Sequence, residues 1–290
     1  MKFIKIILIL IIPLLFISCG DPGVDITNVS YEPKIAVEGY LYAGETIHDI
    51  KLTRNFALGQ PLELSKLTLT PQDNSVNVSI NGLPLLFDPQ SKTYYNNTVI
   101  VEYGKTYKLS VSALFDGRQL RTESVTTVPQ KGFKLITTGN LGNKRYNLDN
   151  IKLDFQPSPG CDFYVFAVIA DSASTGNFIY NNPFDSNIDT NDIRKNLNDY
   201  RVQFDAVTDI DSYSGALFSF NVRPYQTWFY SSYKTIVYAG DKNFRSYLFS
   251  APNVKEFDGN FHEPVQIFTG DGIGVFASAV RDTVLFNIVR

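Results

Sequence analysis

Nucleophilic catalysis requires a base within reach of a nucleophile, and the sequence offers two imidazole bases, His48 and His262. His48 begins a segment of alternating polar and apolar residues, and His262 lies in a polar segment. Cys161 could supply a thiol to a pair with His262, but its position before an apolar strand favours a small buried residue. No Gly-x-Ser-x-Gly nucleophile elbow occurs. We therefore predict no catalytic residues and no enzymatic activity. A convergent carboxylate pair, as in glycoside hydrolases, stays open as an alternative because the chain has 29 acids.

Metal and phosphate chemistry has weak local support. Asp209 and Asp211 are spaced as calcium ligands can be and lie close to Asp205, but the next EF-hand ligand position holds Tyr213. The same interpretation, solvated loop acids, applies to Asp185, Asp189 and Asp192. The glycine-rich Gly270–Gly274 run leads into a strand, whereas phosphate cradling uses a helix N-terminus. We predict no metal and no cofactor.

Cys19 has the clearest chemical context. Lys2 and Lys5 precede an apolar run, Ile6–Ile17, that is too short to span a bilayer and is typical of a secretory signal peptide. Ser18 and Cys19 follow it, and this junction resembles a bacterial lipobox, in which the thiol of the cysteine accepts a diacylglyceryl group before cleavage. The sequence therefore predicts a lipoprotein signal peptide over residues 1–18 and a lipid on Cys19. An ordinary signal peptide with an incidental cysteine is the alternative.

Aromatic residues give the remaining candidate site. Phe178, Tyr180 and Phe184 lie in a long insertion rich in Asn and Asp, and Tyr225, Trp228 and Tyr230 lie in a second aromatic segment. Tyrosine and tryptophan favour recognition surfaces because they combine a large apolar ring with a polar tip. These six residues are the predicted contacts to a partner or ligand. The alternative is that most of them belong to a hydrophobic core.

Composition indicates the fold class. The chain has 17 Tyr, 22 Phe and few segments of helical periodicity, which favours a mostly β fold. Without residues 1–18 it carries 24 basic and 29 acidic residues. That mild acidity argues against binding to nucleic acid and against electrostatic attachment to an anionic membrane, so attachment would come from the lipid.

The strand pattern predicts two domains after a tether at residues 19–33. Alternating segments begin at Ile35, and two of them, Thr106–Phe115 and Arg118–Thr127, form a predicted hairpin around Asp116-Gly117. Seven or so short strands before Pro129 predict an immunoglobulin-like β-sandwich over residues 34–129. We expect a β-rich C-terminal domain over 130–290 with one short helix at 241–250 and a closing hairpin of 274–279 with 283–289.

Short segments along the chain resemble the DUF4249 family, lipoproteins of the Bacteroidetes. The segments are the lipobox Cys19, Ile35–Tyr40, Tyr103–Leu109, Asp116-Gly117, Val128-Pro129, Phe244–Leu248 and Gly272–Phe276. The resemblance implies a lipid-anchored outer-membrane protein, on either the periplasmic or the outer face, often encoded beside TonB-dependent receptors. It implies no catalytic residues.

These observations predict a binding or accessory protein that partners an outer-membrane β-barrel transporter in nutrient uptake. Two alternatives are kept: direct binding of a glycan, peptide or small nutrient, and a structural or assembly role in the cell envelope.

Overall fold

Alternating apolar residues produce a chain that is mostly β-strand, as predicted. The computed structural model describes residues 31–57, 60–182, 190–250 and 265–290. The strands of the first half are β1 (Ile35–Tyr42), β2 (Thr46–Arg54), β3 (Asn77–Ile80), β4 (Leu83–Pro84), β5 (Leu86–Asp88), β6 (Thr93–Ile100), β7 (Thr106–Phe115), β8 (Arg118–Thr127), β9 (Lys134–Leu135) and β10 (Gly139–Arg145). Those of the second half are β11 (Ile151–Gln156), β12 (Tyr164–Ala170), β13 (Val202–Val207), β14 (Phe218–Val222), β15 (Ser232–Gly240), β16 (Phe268–Gly270) and β17 (Gly272–Val289).

Helices are few in the described ranges. They are α1 (Pro71–Asn74), α2 (Thr190–Arg201) and α3 (Lys242–Ser250), with 3-10 turns at Leu64–Lys66 and Pro224–Gln226. The predicted helix at 241–250 is present as α3. Helix α2 lies in the polar insertion, where no helix was predicted. No helix of the described part is long and apolar enough to cross a membrane.

The N-terminal half is a β-sandwich, which confirms the predicted architecture. A five-stranded sheet ordered β16-β8-β7-β3-β4 packs against β1, β2 and β6. Ile35, Val37 and Leu41 lie on one face of β1 and share a single core with apolar residues of β7 such as Leu109 and Val111. Burial of these side chains drives the pairing of the two sheets.

A second core forms between a small sheet ordered β14-β11-β9 and strands β12, β15 and β17. Strand β12 is buried along almost its whole length, as its continuous apolar sequence predicted. Phe166 on β12 stacks on Phe220 of β14 with ring centroids 3.8 Å apart, and Phe155 of β11 lies 4.9 Å from Tyr164.

One long sheet serves both cores. Its path is β13-β12-β15-β17-β1-β2-β6-β5, with β10 also pairing to β17. Strand β17 pairs parallel with β1 from Gly272 to Ala279 and antiparallel with β15 from Ala279 to Asn287. The predicted closing hairpin is therefore wrong: residues 280–282 continue an 18-residue strand, because β17 passes from one core to the other at that point.

A buried polar cluster ties α3 to both sheets. Asp241 precedes α3, and its carboxylate accepts hydrogen bonds from the backbone N–H of Phe244 at 3.0 Å and of Ser278 at 3.2 Å, and from the Thr126 hydroxyl at 2.6 Å. The amide of Asn243 donates to the carbonyl oxygens of Val125 and Phe276.

The predicted division into 34–129 and 130–290 stays a prediction. The first core ends at Val128 apart from Phe268 and Phe276.

Candidate functional site

Two segments that are about 50 residues apart in sequence meet at one β-bridge. Phe178 bridges Phe229, the backbone N–H of Ile179 donates to the carbonyl oxygen of Trp228 at 2.8 Å, and that of Tyr230 donates to Asn177 at 2.8 Å. The structure therefore brings together the two aromatic segments that the sequence singled out separately. Phe184 lies outside the described residues, as do Cys19 and His262.

Aromatic rings on the inner side of this bridge are buried in the second core. Phe178 is 3% exposed and Trp228 is 7% exposed. Their rings are stacked with centroids 5.8 Å apart, and the ring of Tyr200 from α2 meets each of them edge-on at 5.3 and 5.1 Å. Phe178 and Trp228 are thus buried beneath the surface and support it from below. Direct contact with a partner or ligand would fall to the other predicted residues.

Three tyrosines of the bridged segments reach solvent, and we call them the aromatic surface: Tyr180, Tyr225 and Tyr230. Tyr180 is 45% exposed and Tyr225 is 39% exposed, while Tyr230 is half-buried. The Tyr180 hydroxyl donates to the Thr175 carbonyl oxygen at 2.9 Å. The side chain of Asn182 contacts the carbonyl oxygen of Pro224 at 3.4 Å, which places the residues following Tyr180 beside those preceding Tyr225.

Tyr230 has neighbours that a recognition residue can use. Its ring lies 6.4 Å from that of Tyr146 in an edge-on arrangement, and the guanidinium of Arg290 lies 5.5 Å from the ring centroid. The electron-rich face of an aromatic ring attracts a guanidinium, and arginine and tyrosine are both enriched at binding hot spots.

The candidate nucleophile Cys161 is unsuited to catalysis. Its side chain is 4% exposed, and its sulfur lies 3.3 Å from the carbonyl oxygen of Phe163 and 3.2 Å from that of Gly240. Burial raises the pKa of the Cys161 thiol to about 11. The thiol is therefore protonated at neutral pH and packs as a small apolar group.

The candidate metal ligands serve local turns. Asp205 accepts from the N–H of Ala206, Asp209 accepts from the Thr208 hydroxyl at 2.8 Å, and Asp211 accepts from two N–H groups that follow it. Within the described ranges no three His, Cys, Asp or Glu side chains converge as a metal site would require. The Gly270–Gly274 run spans the end of β16 and the start of β17, so it leads into a strand as the sequence indicated.

An ion pair that the sequence did not predict lies on the other side of the long sheet. Arg281 of β17 donates to both carboxylate oxygens of Glu45, at 2.7 and 2.6 Å, and lies 3.9 Å above the ring of Tyr42. Partial burial acts to raise the pKa of Glu45, but the hydrogen bonds from Arg281 and His48 outweigh it and lower the pKa below its ordinary value. No local pattern reveals a pair that is 236 residues apart.

Comparison with known proteins shows which family the chain belongs to. Residues 24–283 match the family described as "Domain of unknown function (DUF4249)". The chain belongs to the DUF4249 family. The DUF4249 match spans both cores and ends within β17. No curated protein matches the sequence.

Solved structures similar to this DUF4249 chain include titin fragments. A chimeric titin Z1Z2-Z1Z2 tandem carrying a GRGDS peptide from fibronectin is 7% identical, with 89% of this chain and 97% of that chain covered and a TM-score of 0.26. Titin domains Z1Z2 in complex with telethonin are 10% identical, with coverages of 90% and 98% and a TM-score of 0.20.

Proposed function

We propose that the protein is a non-enzymatic binding protein, anchored by lipid on Cys19 to the outer membrane of a Bacteroidetes cell, whose aromatic surface contacts a partner held at the same membrane. The partner is a β-barrel transporter of the TonB-dependent class, and the process is nutrient uptake. The lipid-anchor part of the proposal is supported by the sequence around Cys19 and by what the family resemblance implies.

The proposed contact role of the aromatic surface is supported by one observation: buried aromatic rings hold the exposed tyrosines in place. Phe178 and Trp228 fix the bridged segments in the second core, so Tyr180 and Tyr225 project from a framework that is already ordered. Binding through preordered aromatic side chains avoids much of the entropy loss that flexible contacts incur. Tyrosine is also one of the residue types enriched at binding hot spots.

Affinity purification from gently solubilised membranes tests this function. The tagged parent protein is expected to retain a β-barrel protein, and the double variant Tyr180→Ser/Tyr225→Ser is expected to lose it. Tyr213→Ser is the matched control, because Tyr213 is 81% exposed and lies beside Gly160, at the opposite end of β12 from the bridged segments. Purification of the parent protein alone, with no barrel bound, contradicts the proposal.

A direct ligand is the second candidate function, and a cleft next to Tyr225 favours it. The cleft has a volume of about 370 Å³, and its lining combines the polar residues Arg145, Asn147 and Arg223 with apolar ones such as Leu148 and Val222. Thermal shift with oligosaccharides and peptides separates this candidate from the first. A ligand at one hundred times its dissociation constant adds about 2.7 kcal/mol to the stability of the folded state.

A further inference from the structure

Two exposed leucines mark the end of the first sandwich at which β1 begins. Leu62 is 61% exposed and Leu64 is 68% exposed, and the 3-10 turn Leu64–Lys66 has no buried residue. The turn is attached to the start of the sandwich, because the Leu67 carbonyl oxygen accepts from the N–H of Arg54, the residue paired with Ile35. We call the segment Leu62–Lys66 the leucine tip.

The leucine tip stands on a rigid base. The Arg54 guanidinium lies 4.9 Å from the ring centroid of Phe56 and 4.8 Å from that of Phe115, and it forms an ion pair with Asp116 at the β7–β8 turn. Leu62 and Leu64 lie two residues apart above this base and form one exposed apolar patch, the kind of feature that marks an interaction surface.

Charge at the leucine tip is balanced. Glu63 is the acid between the two leucines, and its carboxylate lies 2.8 Å from the ammonium group of Lys66. The charges lie beside the leucines and can remain in water while apolar side chains enter a nonpolar phase.

We infer that the leucine tip docks into the interfacial region of the bilayer that carries the Cys19 lipid, an inference that rests on the proposed lipid anchor. Ile35 follows Cys19 by 16 residues, which span at most about 55 Å when extended. The anchored chain enters the first sandwich at Ile35, whose paired residue Arg54 donates to the carbonyl oxygen of Leu67 beside the leucine tip, so the tip lies next to the point of entry. Apolar side chains at an interface bury themselves about 5–10 Å into the headgroup and acyl boundary. Docking orients the aromatic surface relative to the membrane and to its partner.

Lipid quenching on tethered protein tests the docking separately from the anchor. The mature chain with Cys19→Ser and an N-terminal histidine tag is bound to phosphatidylcholine vesicles that contain nickel-chelating lipid and doxyl-labelled lipid. A fluorophore is attached at Ser65→Cys in the leucine tip or at Ser214→Cys, an exposed serine between β13 and β14. Cys161 is buried and stays unlabelled in the folded protein.

We expect lipid quenching of the residue-65 probe and little quenching of the residue-214 probe. Leu62→Ser/Leu64→Ser lowers the residue-65 quenching to the residue-214 level, because each leucine withdrawn shifts the docking equilibrium about tenfold. The control Leu148→Ser, which replaces a leucine that is 74% exposed, leaves the quenching unchanged. Equal quenching of the two probes, or quenching that persists in the double variant, overturns the inference. Neither result depends on whether cells acylate Cys19, which mass spectrometry of the cellular protein determines.

Discussion

The indole of Trp228 lies against the ring of Phe178 with the two planes 22° apart. This contact joins a segment of the polar insertion to a segment that precedes β15, and it is continued by backbone hydrogen bonds on both sides. The same two segments therefore supply buried rings that stabilise the fold and the exposed tyrosines that we propose for binding.

Truncation of the buried ring should lower stability strongly. We expect Phe178→Ala to reduce the free energy of unfolding by about 3–5 kcal/mol, because it removes a buried aromatic ring and leaves a cavity beside Trp228. Tyr225→Ser should lower it by less, since this residue is already 39% exposed and its removal leaves no enclosed cavity. Urea denaturation followed by the fluorescence of the one tryptophan measures both. Equal losses in the two variants would show that Tyr225 also belongs to the core.

Asp241 should make stability fall as pH rises. Burial raises the pKa of this carboxyl above its ordinary value of 3.8, and the hydrogen bonds from Thr126 and the α3 backbone do not offset the burial. The folded state then binds the proton more tightly than the unfolded state. The resulting stabilisation is complete below about pH 3.8 and is lost as pH rises through the folded-state pKa.

Asp241→Asn tests this pH dependence. The asparagine oxygen can still accept from the N–H of Phe244, so the start of α3 is kept. We expect the unfolding free energy of the variant, relative to the parent, to be higher at pH 7 than at pH 4 in urea titrations. A difference between the two proteins that is the same at both pH values would contradict the prediction.

Gly274 should tolerate no side chain. Its φ is +104°, and a Cβ atom there would lie 2.2 Å from the carbonyl oxygen of Val37 on the paired strand β1. Gly142 has a φ of +71° with open space around it, so it controls for the backbone conformation alone. We expect Gly142→Ala to cost about 1–2 kcal/mol and Gly274→Ala clearly more, as measured by thermal unfolding. Similar losses would mean that β1 and β17 move apart readily.

Cys161 should resist alkylation while the protein is folded. A thiol with a pKa of about 11 that is 4% exposed supplies almost no thiolate at pH 8. We expect no modification by iodoacetamide in the folded state of Cys19→Ser and complete modification in urea, read by intact mass. Rapid labelling of the folded protein would return Cys161 to the candidate nucleophiles.

Elements defined by local signals were predictable from the sequence. The hairpin of β7 and β8 has the predicted bounds because Asp116 and Gly117 both adopt positive φ in the turn between two alternating segments. Helix α3 was predicted from apolar spacing and from Asp241, whose carboxylate does accept from the N–H three residues later. In both cases the information lies within about 20 residues.

Relations between distant segments were not predictable. Arg281 and Asp282 read as a turn because they are polar, but Arg281 is paired with Glu45 from the opposite end of the sequence. The site was predicted in part for the same reason. The aromatic residues were identifiable, whereas the separation of buried Phe178 and Trp228 from exposed Tyr180 and Tyr225 depends on a bridge between remote segments.

Because β1 pairs with β17, a strand that is synthesised early must wait for one that is synthesised late. Among the described residues the first strand, β1, has one of its two neighbours in the last, β17, so the long sheet stays incomplete until β17 has been synthesised. Closing so large a loop is slow, because its entropic cost precedes the contacts that reward it. Loss of even the final 20 residues would remove the strand that both cores share, and such a protein would fail as a whole rather than lose one part.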